Sequence, residues 1–101
     1  MSKYTTLYVL VRKDLPKNPM HKIVQSGHAV AGYVSRYDNF DDGRMVYLAV
    51  DNEYELKLIQ HKLDYNDIPN YMFYEPYWDE YTALSVTSDE KLFTDLKLLK
   101  F

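Results

Sequence analysis

Residues 5–12, T-T-L-Y-V-L-V-R, constrain the fold more than any other stretch. β-Branched and aromatic residues fill it and apolarity barely alternates, so as a strand it must be covered on both faces. A strand of that kind belongs in a sheet flanked by helices. Met45–Val50 (M-V-Y-L-A-V) is a second run of the same type.

The segments between and after these runs carry helix and turn signals. Asn18-Pro19 pairs an N-cap with proline at the first helical position, predicting a helix over Pro19–Tyr37. Ile23, Gly27, Val30, Ala31 and Val34 follow i, i+4, i+7, i+8, i+11, the spacing of one buried face. Asn52 with Glu55 resembles a capping box and predicts a second helix with Leu56, Ile59 and Leu63 inward, ending near Asp64. Tyr71–Glu75 and Tyr81–Val86 read as strands. The link between them is too short for a parallel crossover, so they should pair antiparallel. Thr87 or Ser88 offers a cap for a last helix with Leu92, Phe93 and Leu96 inward, followed by a tail packed down by Leu98, Leu99 and Phe101.

The fold class expected is therefore α/β: a three-layer α/β/α arrangement on a mixed, roughly four-stranded sheet, with elements in the order β-α-β-α-β-β-α. At 101 residues the chain suits a single domain over 1–101. Its 47% hydrophobic and 27% charged residues are those of an ordinary globular protein. Cysteine is absent, which excludes disulfides and thiolate chemistry. No apolar run approaches a membrane span and the N-terminus lacks a signal-peptide core, so no membrane association and a cytoplasmic location are expected.

The net charge of −3 is unevenly spread. Residues 1–37 hold six Lys/Arg and one acid, giving +5, whereas residues 38–101 hold six Lys/Arg and fourteen Asp/Glu, giving −8. A basic face on an acidic protein can steer a polyanion, although uneven surface charge needs no partner. Eleven tyrosines suit cores, interfaces and base stacking alike.

The first helix carries the chemistry. His21, Gln25 and His28 lie at i, i+4 and i+7 and share a stripe, which Gly32 continues and leaves open. Two histidines seven residues apart are separated by about 10.5 Å along a helix, too far for one zinc ion, and no third ligand is spaced nearby, so no metal is expected. His28, between Gly27 and Ala29, is open to a substrate and titrates in a range suited to proton transfer. A histidine hydrogen-bonded to a neighbouring loop is the plainer alternative.

V-R-x-D-L (Val11, Arg12, Asp14, Leu15) followed by Q-x-G-H-A (Gln25, Gly27, His28, Ala29) resembles the signature of the type II peptidyl-tRNA hydrolases. The resemblance runs on through V-D-N-E-Y-E-L (Val50–Leu56) and T-A-L-S-V (Thr82–Val86), covering most of the chain. It implies metal- and cofactor-independent hydrolysis of the ester joining a peptide to the 3′ end of tRNA. On that reading Lys22, His28, Asp14 and Thr82 are the catalytic candidates. His21, Gln25, Arg12, Arg36 and Glu75 are the substrate-binding ones, with Arg12 and Arg36 on tRNA phosphates. Two departures stand out. Position 21, where the family has lysine, is His, with Lys22 one residue later. The 75–80 loop lacks the family's Arg-Thr-Gln-like run. Tyr77 and Trp78 in that loop suit a dimer contact or a cover for the domain's hydrophobic edge. A non-catalytic RNA- or ligand-binding domain on the same fold, or a homo-oligomeric interaction protein, are the alternatives.

Overall fold

The computed structural model describes residues 6–15, 18–40, 43–88 and 93–100. Its elements are β1 (Thr6–Arg12), α1 (Pro19–Arg36), β2 (Arg44–Val50), α2 (Glu53–Tyr65), β3 (Asn70–Glu75) and β4 (Glu80–Ser88). The sheet order is β2-β1-β4-β3. β1 pairs parallel with β2 and antiparallel with β4, and β3 with β4 form the antiparallel hairpin.

Alternation along β1 divides the core into two layers. Leu7, Val9 and Val11 pack with Ala29 and Tyr33 of α1. Tyr8 and Leu10 face the other side, where Leu48, Val50 and Leu84 meet Leu56 and Leu63 of α2. The sheet is thus covered on both faces. Both helix starts are capped as the sequence indicates: Asn18 Oδ1 accepts from the Met20 N–H at 2.9 Å, and Asn52 Oδ1 accepts from the Glu55 N–H at 3.0 Å.

Two expectations need correction. Among the described residues the C-terminal part holds no helix. Leu96 N–H donates to the Phe93 carbonyl in a turn, and residues 97–99 then run antiparallel to β2. The Ala49 N–H donates to the Lys97 carbonyl at 2.9 Å and the Leu99 N–H to the Tyr47 carbonyl at 3.0 Å. The sheet is therefore five-stranded and mixed, and the order ends β-β-β. The physical reason is the edge of β2, whose free N–H and C=O groups would otherwise stay unpaired. Leu92 and Phe101 lie outside the described residues; Leu99 packs inward and Leu98 is exposed.

The second correction concerns α1. Its buried residues are Gln25, Ser26, Ala29 and Tyr33, while Ile23, Gly27, Ala31 and Val34 are exposed. The helix is turned by roughly a third of a turn from the expected face, because its polar side chains find partners inside. The Ser26 hydroxyl donates to the Ile23 carbonyl at 2.8 Å, and Tyr33 shares a 2.6 Å hydrogen bond with Thr87. No described helix is long and apolar enough to cross a membrane.

Candidate functional site

The site is built where the start of α1 lies against the β3–β4 hairpin. Phe73 pairs with Ala83 but Tyr74 pairs with Tyr81, so Thr82 is the extra residue of a β-bulge. Bulges re-aim side chains. Tyr81 packs with the α2 layer, and Thr82, which simple alternation would send the same way, reaches across to α1 instead.

A continuous polar chain results. The fully buried Thr82 hydroxyl donates to Gln25 Oε1 at 2.6 Å, and Gln25 Nε2 donates to Glu75 Oε1 at 2.9 Å. The other Glu75 oxygen accepts from the Tyr77 N–H at 3.2 Å. The Gln25 hydrogen bond, aided by the Tyr77 N–H and the nearby His28, holds the Glu75 carboxyl below its ordinary value against the opposing effect of desolvation. The exposed His28 stacks on Phe73 with centroids 4.3 Å apart and planes 7° apart.

The rest of the polar stripe also meets this hairpin and strand. His21 packs edge-on against Trp78 at 5.2 Å, and its Nδ1 is buried without a hydrogen-bond partner. Gly32 lies under the Tyr71 ring, which would overlap any Cβ there. Arg36 sits over the same ring, 5.0 Å from its centroid. The stripe expected to be open at Gly32 is closed by Tyr71. Residues 21, 25, 28, 32 and 36 meet 78, 75, 73 and 71 in descending order, so α1 runs antiparallel to β3.

Gln25, His28, Glu75 and Thr82 thus come together, and the other candidates stand apart. Arg12 is buried at the end of β1, donating from Nε and one terminal nitrogen to Asp14 at 2.8 and 3.0 Å. Its other terminal nitrogen donates to Glu80 at 2.7 Å and to the Tyr81 carbonyl at 3.0 Å. The Asp14 and Glu80 carboxylates raise the guanidinium's pKa, Asp14 most of all, so Arg12 is a cationic tie between the β1–α1 loop and the hairpin. Its side chain is turned inward to carboxylates, and Asp14 uses both oxygens on it. Lys22 does not join Asp14 and Thr82; its Nζ donates to the Lys100 carbonyl at 3.1 Å. The Asn18 cap takes the first helical N–H donors, its side chain that of Met20 and its carbonyl that of His21. Arg36 lies eleven residues beyond Gln25, about 16 Å along the helix.

Sequence reasoning missed Phe73 and Tyr71, which floor the stripe, whereas Trp78 packs against the core layer shared by β1 and α1, as a cover for that edge would. The alternation of Tyr71, Phe73 and Glu75 on one face of β3 was the available signal. Among the described residues no group of three or more His, Cys, Asp or Glu side chains converges as a metal would need. A recess of about 240 Å³ lies elsewhere, between α2 and residues 93–96.

The chain matches no protein-family profile and no curated protein. It is similar to a solved protein of unknown function from Agrobacterium tumefaciens, with a TM-score of 0.73 and 14% identity over 98% of this chain and 100% of that one. At this identity the likeness shows the fold alone: a shared α/β arrangement over nearly the whole length.

Proposed function

We propose that this chain is a type II peptidyl-tRNA hydrolase-like protein acting on the ester between a peptide and the 3′ end of tRNA, in a cytoplasmic setting. One observation carries the reading. Gln25, His28, Glu75 and Thr82, which the resemblance marks in three separate segments, meet at one place in the fold.

The roles within that cluster follow from exposure. His28 is the titratable group open to solvent, so it takes the proton from a water attacking the ester carbonyl and returns it to the departing ribose oxygen. Glu75, ionised at neutral pH, favours the imidazolium that forms. Gln25 holds Glu75. Thr82, fully buried, fixes which way the Gln25 amide points and acts as a positioning residue rather than on the water itself. Lys22 and Asp14 have no part in this form of the mechanism, because the first is anchored on the tail and the second on Arg12.

A second reading, a non-catalytic binding domain, is favoured by a specific feature: Lys22, a catalytic candidate, is anchored on the Lys100 carbonyl and does not join Asp14 and Thr82. Incubation with peptidyl-tRNA, following release of free tRNA, separates the two. The hydrolase reading expects turnover that His28→Ala lowers by about 100-fold or more and that Lys22→Ala leaves near the parent value. Absence of turnover by the parent would overturn it. Salt-sensitive tRNA binding without turnover would establish the second reading.

A further inference from the structure

The turn that joins β3 to β4 is held at several points. The Tyr77 N–H donates to the Glu75 carboxylate and the Trp78 N–H to the Glu75 carbonyl, both at 3.2 Å. Trp78 packs edge-on against His21 and into the layer shared by β1 and α1. Asp79 takes a left-handed conformation with φ 56°, and Glu80 accepts from Arg12 at 2.7 Å. Between these anchors the Tyr77 side chain is left 93% exposed. A bare tyrosine on a loose loop needs no explanation. One presented on a fixed turn has little freedom to lose on meeting a flat partner, which is what a stacking platform requires.

The polar cluster of Gln25, His28, Glu75 and Thr82 is its neighbour. Tyr77 stands two residues past Glu75, a span of at most about 7 Å, and its backbone is one hydrogen bond from that carboxylate. This is the scale of a single nucleoside. We propose that Tyr77 stacks on the terminal base of the tRNA, the adenine at its 3′ end, while the ester on the same ribose lies at His28. The proposal rests on the hydrolase reading and adds to it the group that places the substrate.

Charge and constancy select the base as the occupant. Glu75 and Asp79 flank Tyr77 in the chain, so a phosphate is repelled there and a neutral flat group is favoured. The peptide on the ester varies from one substrate to the next, whereas the terminal base does not. A single ring reads that base by its flat face, without hydrogen bonds to its edges.

Two RNA hairpins carrying a tRNA acceptor stem test the contact without any turnover. One ends in C-C-A; the other has an abasic last nucleotide, so charge and length are equal. In fluorescence anisotropy at low salt the parent should bind the first about 5- to 150-fold more tightly, the range of stacking on one aromatic side chain. Tyr77→Ala should keep the native circular dichroism spectrum and bind both alike, and Tyr77→Trp should restore the difference. With peptidyl-tRNA, Tyr77→Ala should raise KM and leave kcat near the parent value. A parent that binds both hairpins alike or neither, a Tyr77→Ala variant that keeps the difference, or dimerisation of the free chain that Tyr77→Ala abolishes would each overturn the stacking. Turnover by Tyr77→Ala at the parent KM would remove the stacking and leave the hydrolase reading. A hairpin difference without turnover by the parent would keep the base contact and remove hydrolysis.

Discussion

Gly27 and Gly32 lie on the same helix, and replacing each by alanine should move stability in opposite directions. At Gly27 the new methyl meets nothing within 4 Å, so the substitution mainly reduces the freedom of the unfolded chain. A gain of about 0.5–1 kcal/mol follows. At Gly32 the same methyl would fall within 3 Å of three atoms of the Tyr71 ring. That ring is a side chain and can shift, but Arg36 lies over it and β3 is fixed by pairing with β4. Overpacking of this kind costs about 1–3 kcal/mol. Set against the helical gain, Gly32→Ala should lose about 0.5–2 kcal/mol net, leaving the two variants about 1–3 kcal/mol apart. Urea unfolding followed by circular dichroism measures both. Each kcal/mol corresponds to about 4–8 °C in melting temperature for a domain of this size. Adding Tyr71→Ala should remove the penalty of Gly32→Ala, and the double-mutant coupling measures the contact directly. If Gly32→Ala equals or exceeds the parent in stability, α1 does not lie against β3 in this way.

Three further outcomes are expected. Arg12→Met should cost about 1–3 kcal/mol rather than the larger cost of a fully buried pair, because Asp14 and Glu80 are 41% and 43% exposed and can rehydrate; a thermal midpoint equal to the parent's would contradict the tie. Thr82→Val should lose about 1–3 kcal/mol by leaving the buried Gln25 oxygen without a donor, with Thr82→Ser restoring most of it; if Ser and Val behave alike in chemical denaturation, the hydroxyl is not what matters. Glu75 gives a pH signature. Its folded carboxyl, held down first by Gln25, binds a proton less readily than in the unfolded chain, so its contribution is full above the ordinary value of 4.5 and is lost as pH falls through the lower folded value. The stability difference between parent and Glu75→Gln should shrink from pH 7 to pH 3, and a difference constant over that range would refute the assignment.

Elements of this fold were legible where local signals act alone. β1 and β2 follow from apolar runs, and both helix starts from Asn caps whose side chains do accept the expected N–H groups. The face of α1 was not legible, because periodicity sorts side chains by polarity and assigns the apolar set to the core. Here Gln25 is buried because Thr82 and Glu75, more than fifty and about fifty residues away, satisfy its amide. Those partners meet it only through a bulge, and nothing in the T-A-L-S-V stretch announces that Thr82 turns against the alternation. The C-terminal segment was misread for a related reason: pairing of residues 97–99 is decided by the edge of β2, not by their own propensity. At the site, resemblance named His28 and Thr82 among the catalytic candidates and Gln25 and Glu75 among the substrate-binding ones, and these four meet, while Arg12 and Lys22 found partners that sequence spacing does not reveal.

The strand order β2-β1-β4-β3 sets the sequence in which a growing chain can protect itself. β1 is made first and is apolar on both faces, yet one of its edges waits for β4, with Thr6 pairing to Ser88. β2 waits longer still, for residues 97–99. A chain interrupted before β4, ahead of Glu80, would therefore carry a double-sided apolar strand with an unpaired edge, the species most prone to stick to its neighbours. Small trims at the C-terminus should accordingly harm solubility out of proportion to the few contacts they remove.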